Sequence, residues 1–206
     1  MHRLLDVLAS GVHDAKNQLF FAESLIAAAE AEHGLDLGEA RYAIEAAAGR
    51  LSRTLATYKL LRKGATLAIV PAVVADLIDE IVLAQRKHLE KAGIALSADC
   101  RVLDEWAFDR ELVTDILNNA VQNAARHAKS RIALTAMIDD GMLLVRVEDD
   151  GEGFANPDAS PEDIGGTGLY VAERLARMHE RHGRHGSLRL SNGGQFGGAV
   201  FELRLP

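Results

Sequence analysis

The sequence predicts an α+β fold: a hairpin of two N-terminal helices, then an α/β sandwich with a mixed sheet and helices on one face. Three observations support this prediction. Apolar residues keep a heptad spacing near the N-terminus, two stretches of alternating hydrophobicity flank Asp140-Gly141, and helical stripes separate the strands. Because strands and helices mix without βαβ regularity, we expect antiparallel pairing in part of the sheet.

The composition is that of an ordinary globular protein. The chain has 206 residues, of which 48% are hydrophobic and 26% charged, enough for one medium domain or two small ones. Its net charge of −7 argues against a nucleic-acid partner. No apolar run reaches the roughly 20 residues that span a bilayer, and the N-terminus lacks the apolar core of a signal peptide. The single cysteine, Cys100, fits a reducing cytoplasm, so we expect a cytoplasmic protein without a membrane segment.

The first part of the chain predicts a dimerising helical hairpin. Apolar residues recur at alternating intervals of three and four, at Leu5, Leu8, Val12, Ala15, Leu19, Ala22, Ile26 and Ala29. Gly34 ends this helix, and a second helix with similar spacing follows. A lone antiparallel hairpin leaves apolar surface exposed, so we expect a homodimer that forms a four-helix bundle. We assign residues 1–63 to this hairpin and 64–206 to a second domain.

The second domain is predicted to alternate short strands and amphipathic helices. Proline suits the first position of a helix, glycine its end, and aspartate its N-cap. Alternating apolar residues predict half-buried strands, and Asp-Gly predicts a hairpin turn. The expected elements are a strand at 67–70, a helix from Pro71 to about Lys91, strands at 94–97 and 105–108, a helix capped by Asp109, a hairpin turning at Asp140-Gly141, a helix from Thr167 to about His182, and strands at 187–191 and 199–205.

The sequence Asp149-Asp150-Gly151-Glu152-Gly153 predicts a ligand site at a strand end. Asp149 shares a strand face with Val145 and Val147, so its carboxylate points to the interior side. An ionised carboxylate there needs a donor, and a purine amine would serve. Gly151 and Gly153 would let a ring approach the backbone closely. The alternative is an ordinary glycine turn.

A polar face on the helix after Asp109 is a second candidate. Asn119 and Asn123 lie four residues apart and therefore share a helix face. Their amide oxygens can complete the coordination of Mg²⁺ that brings waters and phosphates, with Asn123 as the metal ligand. Arg126 and His127 follow one turn later and could meet phosphates. A solvated polar face is the alternative.

The third candidate is the glycine-rich stretch Gly165-Gly166-Thr167-Gly168-Leu169. We expect it to open a helix, where free backbone N–H groups bind anions and glycines let phosphate oxygens come close. The spacing is not that of a dinucleotide fingerprint. Residues 155–164, between the two glycine motifs, are either a mobile lid over a nucleotide or a surface loop.

Together, these motifs resemble the ATP-binding domain shared by sensor histidine kinases, DNA gyrase and MutL-type ATPases. The Asn motif, the Asp-x-Gly-x-Gly motif, the Gly-x-Gly-Leu motif and the closing Gly198-Ala199-Val200-Phe201 follow the order of that family. The resemblance covers about residues 64–206, and the hairpin is similar to the dimerisation and phosphoacceptor module of the kinases. It implies binding of ATP and Mg²⁺ through Asn119, Asn123, Arg126, His127, Asp149, Gly151, Gly153, Gly166, Thr167, Gly168 and Leu169.

The resemblance also favours a kinase over a hydrolase. Hydrolysing members of the superfamily carry a water-activating Glu four residues before the metal-binding Asn, a position that Asn119 fills here. An amide cannot take up a proton at neutral pH. The resemblance therefore implies a two-component histidine kinase core, which phosphorylates a histidine from Mg–ATP and passes the phosphoryl group to a response-regulator aspartate.

His13 is the expected phosphoacceptor. It follows Val12 of the heptad seam and should flank the bundle core, where a neutral imidazole is a competent nucleophile. Asp14 can orient the ring or accept its proton. Asn17 and Gln18 both lie where kinases with phosphatase activity hold a water, so either could support dephosphorylation of the receiver domain.

One alternative function stays open, and two other interpretations are disfavoured by the residues present. A histidine phosphotransferase of the same architecture, with little or no ATP binding, is the alternative function. An adaptor or an anti-sigma-type Ser/Thr kinase is disfavoured, because these lack the hairpin histidine. His179, His182 and His185 suggest a metal site by spacing, but with arginines between them we expect solvated side chains near a helix C-terminus.

Overall fold

The chain folds into two compact units, Met1–Ala65 and Thr66–Pro206. The computed structural model describes residues 2–61, 66–156 and 161–206. The boundary expected after residue 63 falls at 62–65, outside the described residues, as does part of the expected lid, 157–160. The predicted α+β class is confirmed, because the second unit combines a mixed five-stranded sheet with helices.

The first unit contains two helices that pack along each other, α1 (His2–His33) and α2 (Gly38–Leu61). Gly34 ends α1 in a left-handed conformation with φ of 63°, and its N–H donates to the Glu30 carbonyl at 2.9 Å. Arg41 of α2 reaches back to α1 and donates to the carboxylates of Glu23 at 3.2 Å and Glu30 at 3.4 Å. These ion pairs join the two helices beside their short connection.

The second unit is built on a mixed sheet. Its elements are β1 (Val70–Val73), α3 (Val74–Lys91), β2 (Ala95–Cys100), β3 (Glu105–Phe108), α4 (Arg110–His127), β4 (Arg131–Asp139), β5 (Met142–Asp149), α5 (Pro161–Met178), β6 (Glu180–Arg181), β7 (Arg184–His185), β8 (Ser187–Asn192) and β9 (Ala199–Leu205). The main sheet has the order β2-β4-β5-β9-β8, with β2 parallel to β4 and the other pairs antiparallel. Strands β1 and β3 form a separate antiparallel pair, as do β6 and β7.

The core lies between the main sheet and helices α3, α4 and α5. Helix α3 packs against β2, α4 against β4 and β5, and α5 against β8 and β9. Val147 of β5 pairs with Phe201 of β9, which pairs in turn with Leu190 of β8, so these side chains share one buried face. The opposite face carries ion pairs, including Arg146 with Glu202. Strand β5 is central and is therefore buried on both faces at most positions.

Several sequence predictions are confirmed. Asp109 caps α4, because its Oδ1 accepts the Leu112 N–H at 3.2 Å. Asp140 and Gly141 connect β4 to β5 with φ of 50° and 68°, as a tight hairpin turn requires. Strand β3 has the expected bounds, and β2, β8 and β9 lie where strands were expected.

Pro71 was assigned wrongly to a helix. It lies in β1 opposite Ala107, and α3 begins only at Val74. The strand expected at 67–70 overlaps β1 only at Val70. Proline is tolerated in β1 because this strand pairs with β3 alone, so only about half of its N–H groups are needed for a ladder.

The bounds of α5 also differ from those expected. The helix begins at Pro161 rather than at Thr167, and it ends at Met178 rather than at His182. Proline at the first helical position is favourable, since its absent N–H would have no partner in the helix. At the other end, the short β6–β7 hairpin replaces the last expected turn, and His182 lies at its tip with φ of 52°.

Candidate functional site: a nucleotide cavity beside Asp149

Asp149 lies at the end of β5 with only 3% of its surface exposed. Its Oδ1 accepts the Gly151 N–H at 2.8 Å and the Ala199 N–H at 3.2 Å. Among the described residues, the two N–H groups that donate to this carboxylate therefore both bind Oδ1. The sequence placed Asp149 on the interior face of the strand, and the observed burial agrees. These hydrogen bonds hold the carboxylate in place, and Oδ2, to which none of the described residues donates, is the oxygen that a ligand donor could reach.

Asp150, the residue after β5, forms hydrogen bonds with the loop that follows α4. Its carboxylate accepts the backbone N–H groups of Lys129, Ser130 and Arg131 at 2.8, 2.9 and 3.1 Å, and the Ser130 hydroxyl at 2.8 Å. These hydrogen bonds hold the pKa of Asp150 far below its usual value, and the one from the Ser130 N–H has the largest effect. The role of Asp150 is not visible in the sequence, because only the folded loop brings these donors together.

Glycines surround Asp149 because side chains would not fit there. A Cβ on Gly198 would lie 2.5 Å from Asp149 Oδ1 and 2.7 Å from the Gly151 nitrogen. A Cβ on Gly151 would collide with the His127 carbonyl and lie 2.9 Å from Asp149 Oδ1. The backbone therefore approaches the carboxylate from two directions. The close approach of a ligand ring to Gly151 and Gly153 stays a prediction.

A cavity of about 530 Å³ opens beside this carboxylate. That volume is within the range of small-molecule sites. Its apolar wall comes from α4 and the sheet: Ala120, Ala124, Val147, Leu190, Ala199 and Phe201. Five of the residues expected to bind a nucleotide also line it: Asn123, His127, Asp149, Gly153 and Leu169. A flat apolar ring with an edge amine would match a mostly apolar cavity that has one buried carboxylate.

Helix α4 supplies the polar rim of the cavity. Asn123 and His127 line it, one turn apart, whereas Asn119 and Arg126 are not among the described residues of the lining. Arg126 is exposed, and its Nη1 donates to Asn123 Oδ1 at 3.4 Å. Asn123 is thus the amide of the predicted pair that the structure brings to the cavity. Among the described residues, no cluster of three His, Cys, Asp or Glu side chains could hold a metal by itself.

Gly166, Thr167 and Gly168 lie within the first two turns of α5. The expected anion site required these residues to open the helix, but the helix begins at Pro161, so this placement is wrong. Because α-helical N–H groups bond to carbonyls four residues earlier, only the first turn has free donors. Leu169, directly after these residues, is buried and lines the cavity.

The comparisons with known proteins identify this half of the chain. Residues 108–206 match the family model described as "Histidine kinase-, DNA gyrase B-, and HSP90-like ATPase". The sensor protein kinase CarS of Pseudomonas aeruginosa is 32% identical over 111 residues, which is 54% of this chain and 22% of CarS. Residues 108–206 are therefore an ATPase domain of the type shared by histidine kinases, DNA gyrase B and HSP90.

Solved structures have the same fold. The Acinetobacter baumannii histidine kinase AdeS aligns with a TM-score of 0.61 at 16% identity, over 92% of this chain and 95% of that one. Full-length ShkA, solved in complex with AMPPNP, aligns with a TM-score of 0.62 at 22% identity, over 98% of this chain and 45% of ShkA. The chain spans about a fifth of the length of CarS.

Within the described parts of the chain, no helix has the length and apolar character of a membrane span.

Asn192 is a residue of the ATP-binding domain that sequence reasoning missed. Its Oδ1 accepts the Phe154 N–H at 2.7 Å, and its Nδ2 donates to the Phe154 carbonyl at 2.8 Å. Phe154 belongs to the cavity lining. The pairing crosses 38 residues of sequence, so no local pattern could have indicated it.

His179 corrects a second expectation. We expected it in solvent, but only 1% of its surface is exposed. The Asp109 N–H donates to His179 Nε2 at 3.1 Å, and Nδ1 lies 2.9 Å from the Leu175 carbonyl. Burial lowers the pKa of His179, and the ring is neutral with its proton on Nδ1. His182 and His185 are exposed, as expected.

The residues expected to carry phosphoryl chemistry belong to the first unit. His13 lies in α1, and its side chain is outside the described part of the structure. Asp14, Asn17 and Gln18 follow it on the same helix and are exposed. Asn17 lies one turn after His13, so the two positions share a helix face.

Proposed function

We propose that the chain is the core of a two-component histidine kinase, which binds Mg–ATP, phosphorylates His13 and transfers the phosphoryl group to an aspartate of a response-regulator receiver domain. The observation that carries the proposal is the rigid, buried Asp149 carboxylate at one end of an apolar cavity of about 530 Å³. The proposal is supported further by the match of residues 108–206 to a family of ATPases.

Adenine recognition follows from the acceptor at the end of β5. Oδ1 of Asp149 is occupied by two backbone N–H groups, so Oδ2 would accept the exocyclic amine of adenine. Val147 and Phe201 would pack against the ring. Guanine presents a carbonyl at the corresponding position and would oppose the carboxylate, so this pocket favours ATP over GTP.

The polar rim would hold the phosphates and the metal. Asn123 is the amide that α4 contributes to the cavity wall and is the proposed Mg²⁺ ligand, with waters and phosphate oxygens completing the shell. His127, one turn later, and the exposed Arg126 would meet phosphate oxygens. Bound Mg²⁺ would neutralise charge on the phosphates during transfer.

The acceptor step would use the first unit. A ring nitrogen of His13 attacks the γ-phosphorus of ATP, a P–N bond forms, and the P–O bond to the leaving ADP breaks. Asp14, the next residue, would take up the imidazole proton or orient the ring. The amide at Asn119 cannot act as a base toward water, which favours transfer to a side chain over hydrolysis.

The proposed partners are a second copy of the chain and a receiver domain. The heptad seam of α1 would form a four-helix bundle in a homodimer. Asn17 and Gln18 are exposed on α1 after His13, and either could orient a water that hydrolyses the receiver's phosphoaspartate.

Incubation of the full chain with γ-labelled ATP and Mg²⁺ tests the proposal. We expect acid-labile, base-stable label that moves to a receiver aspartate. His13→Ala should abolish labelling and keep ATP affinity, whereas Asn123→Ala should reduce labelling while the protein remains dimeric. Wild-type protein that never labels, but accepts a phosphoryl group from a phosphorylated receiver, would establish the alternative of a histidine phosphotransferase.

A further inference from the structure

Asn192, at the end of β8, contacts the backbone of Phe154. One amide group accepts from the Phe154 N–H at 2.7 Å and donates to its carbonyl at 2.8 Å. The side chain thus makes both hydrogen bonds that a neighbouring strand residue would make. It fixes the chain where it leaves the first glycine motif, 38 residues away in sequence.

The Asn192 side chain also occupies the space beside Gly153. The φ of Gly153 is 79°, and a Cβ there would lie 2.6 Å from Asn192 Oδ1. A side chain at this position would be strained by the backbone and would also push the Asn192 amide away. The glycine and the asparagine therefore form one device, which we call the Asn192 clamp.

Asn192 acts on a wall of the cavity without lining it. Phe154, Ala155 and Asn156 line the cavity, whereas Asn192 is not among the lining residues described. Phe154 directly precedes residues 155–156, five residues after the end of β5. Fixing its backbone would fix the wall that follows.

We propose that Asn192 is a positioning residue for nucleotide binding, which holds Phe154 so that residues 154–156 form one wall of the ATP cavity. This inference rests on the proposed function, because it assumes that the cavity takes ATP. It assigns Asn192 no contact with the nucleotide. Its loss should weaken ATP binding by loosening the wall, since both side-chain hydrogen bonds to the Phe154 backbone would be lost.

The test compares the wild-type full chain with Asn192→Ala, Asn192→Asp and Gln195→Ala. Ala removes both hydrogen bonds. Asp keeps the acceptor for the Phe154 N–H but replaces the donor by an oxygen that opposes the Phe154 carbonyl. Gln195 is an exposed residue of the same β8–β9 turn and serves as the matched control. Two quantities are measured: hydrogen exchange at the Phe154 amide without nucleotide, and the ATP dissociation constant by calorimetry.

We expect Asn192→Ala to raise exchange at Phe154 while β5 and β9 stay protected, and to weaken ATP binding by about tenfold. Asn192→Asp should lie between Ala and wild type, and Gln195→Ala should match wild type. At saturating ATP, the labelling rate should be unchanged, because the chemistry is not altered.

Three other outcomes would contradict the positioning role of Asn192 or the proposed function. Exchange at Phe154 that is equal in wild type and Asn192→Ala would show that the clamp does not protect this segment. Raised exchange with unchanged ATP affinity would overturn the positioning role and leave the proposed function intact. Failure of the wild-type protein to bind ATP would overturn the proposed function, and the inference with it.

Discussion

The backbone N–H of Asp109 donates to Nε2 of His179 at 3.1 Å, joining the start of α4 to the residue that follows α5. The Asp109 carboxylate caps α4 through Leu112 and also accepts the Ala68 N–H at 2.9 Å. One buried aspartate therefore holds the chain segment that enters the second unit, the first turn of α4 and the end of α5. Both helices line the nucleotide cavity at other points.

This contact predicts a pH-dependent stability. Burial lowers the pKa of His179 from 6.5, despite the favourable charge of Asp109, and the Asp109 N–H can donate only to an unprotonated Nε2. Below pH 6.5 the unfolded chain binds a proton at this histidine that the folded chain does not. The free energy of unfolding should therefore be largest above this pH and fall as the pH drops toward the folded-state pKa.

Denaturant unfolding of wild type and His179→Gln at pH values from 8 to 5 measures this effect. Glutamine can accept from Asp109 but does not titrate, so the variant should lose less stability than wild type over the same pH range. Other histidines and carboxylates contribute equally to both proteins. Parallel pH profiles would contradict the assignment.

His179 also shows what the sequence could and could not predict. The capping role of Asp109 is readable because it depends on residues three positions apart, and the hairpin at Asp140-Gly141 depends on adjacent ones. The burial of His179 depends on an amide 70 residues away. The Asn192 clamp is missed for the same reason. Local signals predict turns and caps, but partners distant in sequence are fixed only by the tertiary fold.

Pro71 illustrates a local signal that was misleading. Proline is tolerated both at the first position of a helix and in a strand that pairs on one side, because neither position requires an N–H donor. The local sequence is therefore compatible with either structure. The pairing of β1 with β3 decides between them, and it joins residues about as far apart as Val70 and Phe108. Asp149, Asn123 and Gly153, which the sequence singled out, line one cavity, and each lies on an element with strong periodicity or special backbone geometry. Their role toward a nucleotide stays a prediction.

Asp149→Asn should reduce ATP affinity sharply with little effect on folding. The amide oxygen can still accept the N–H groups of Gly151 and Ala199, so the strand end keeps its hydrogen bonds. The NH₂ group then replaces the oxygen proposed to accept the adenine amine. We expect a loss of roughly 1.5–3 kcal/mol in binding, typical of a hydrogen bond to a charged group. Calorimetry measures it, and unchanged affinity would remove Asp149 from the binding site.

Gly198→Ala should destabilise the ATP-binding domain. The φ at Gly198 is not in the left-handed region, so the backbone itself tolerates alanine, but the added Cβ would lie 2.5 Å from Asp149 Oδ1. Displacing the carboxylate should cost about 1–3 kcal/mol of unfolding free energy, as overpacking typically does, and should weaken ATP binding as well.

Gly11→Ala provides the control for this change. Gly11 lies in α1 with no atom near its hypothetical Cβ, so alanine should be neutral or stabilising by up to about 1 kcal/mol. Thermal unfolding and ATP titration of both variants separate the steric effect from the chemical change. A Gly198→Ala protein with wild-type stability would show that the loop holding Gly198 yields at little cost.

The heptad seam of α1 should hold a homodimer together. Leu19 and Ile26 of the seam are half-buried in the single hairpin, so part of their apolar surface is still available to a second copy. Replacing both with glutamate would put charge into the proposed bundle core and should give monomers or insoluble protein. Ala31→Glu adds charge at an exposed position of the same helix and should leave the dimer intact. Multi-angle light scattering at micromolar concentration reports the mass, and a wild-type monomer there would contradict the bundle.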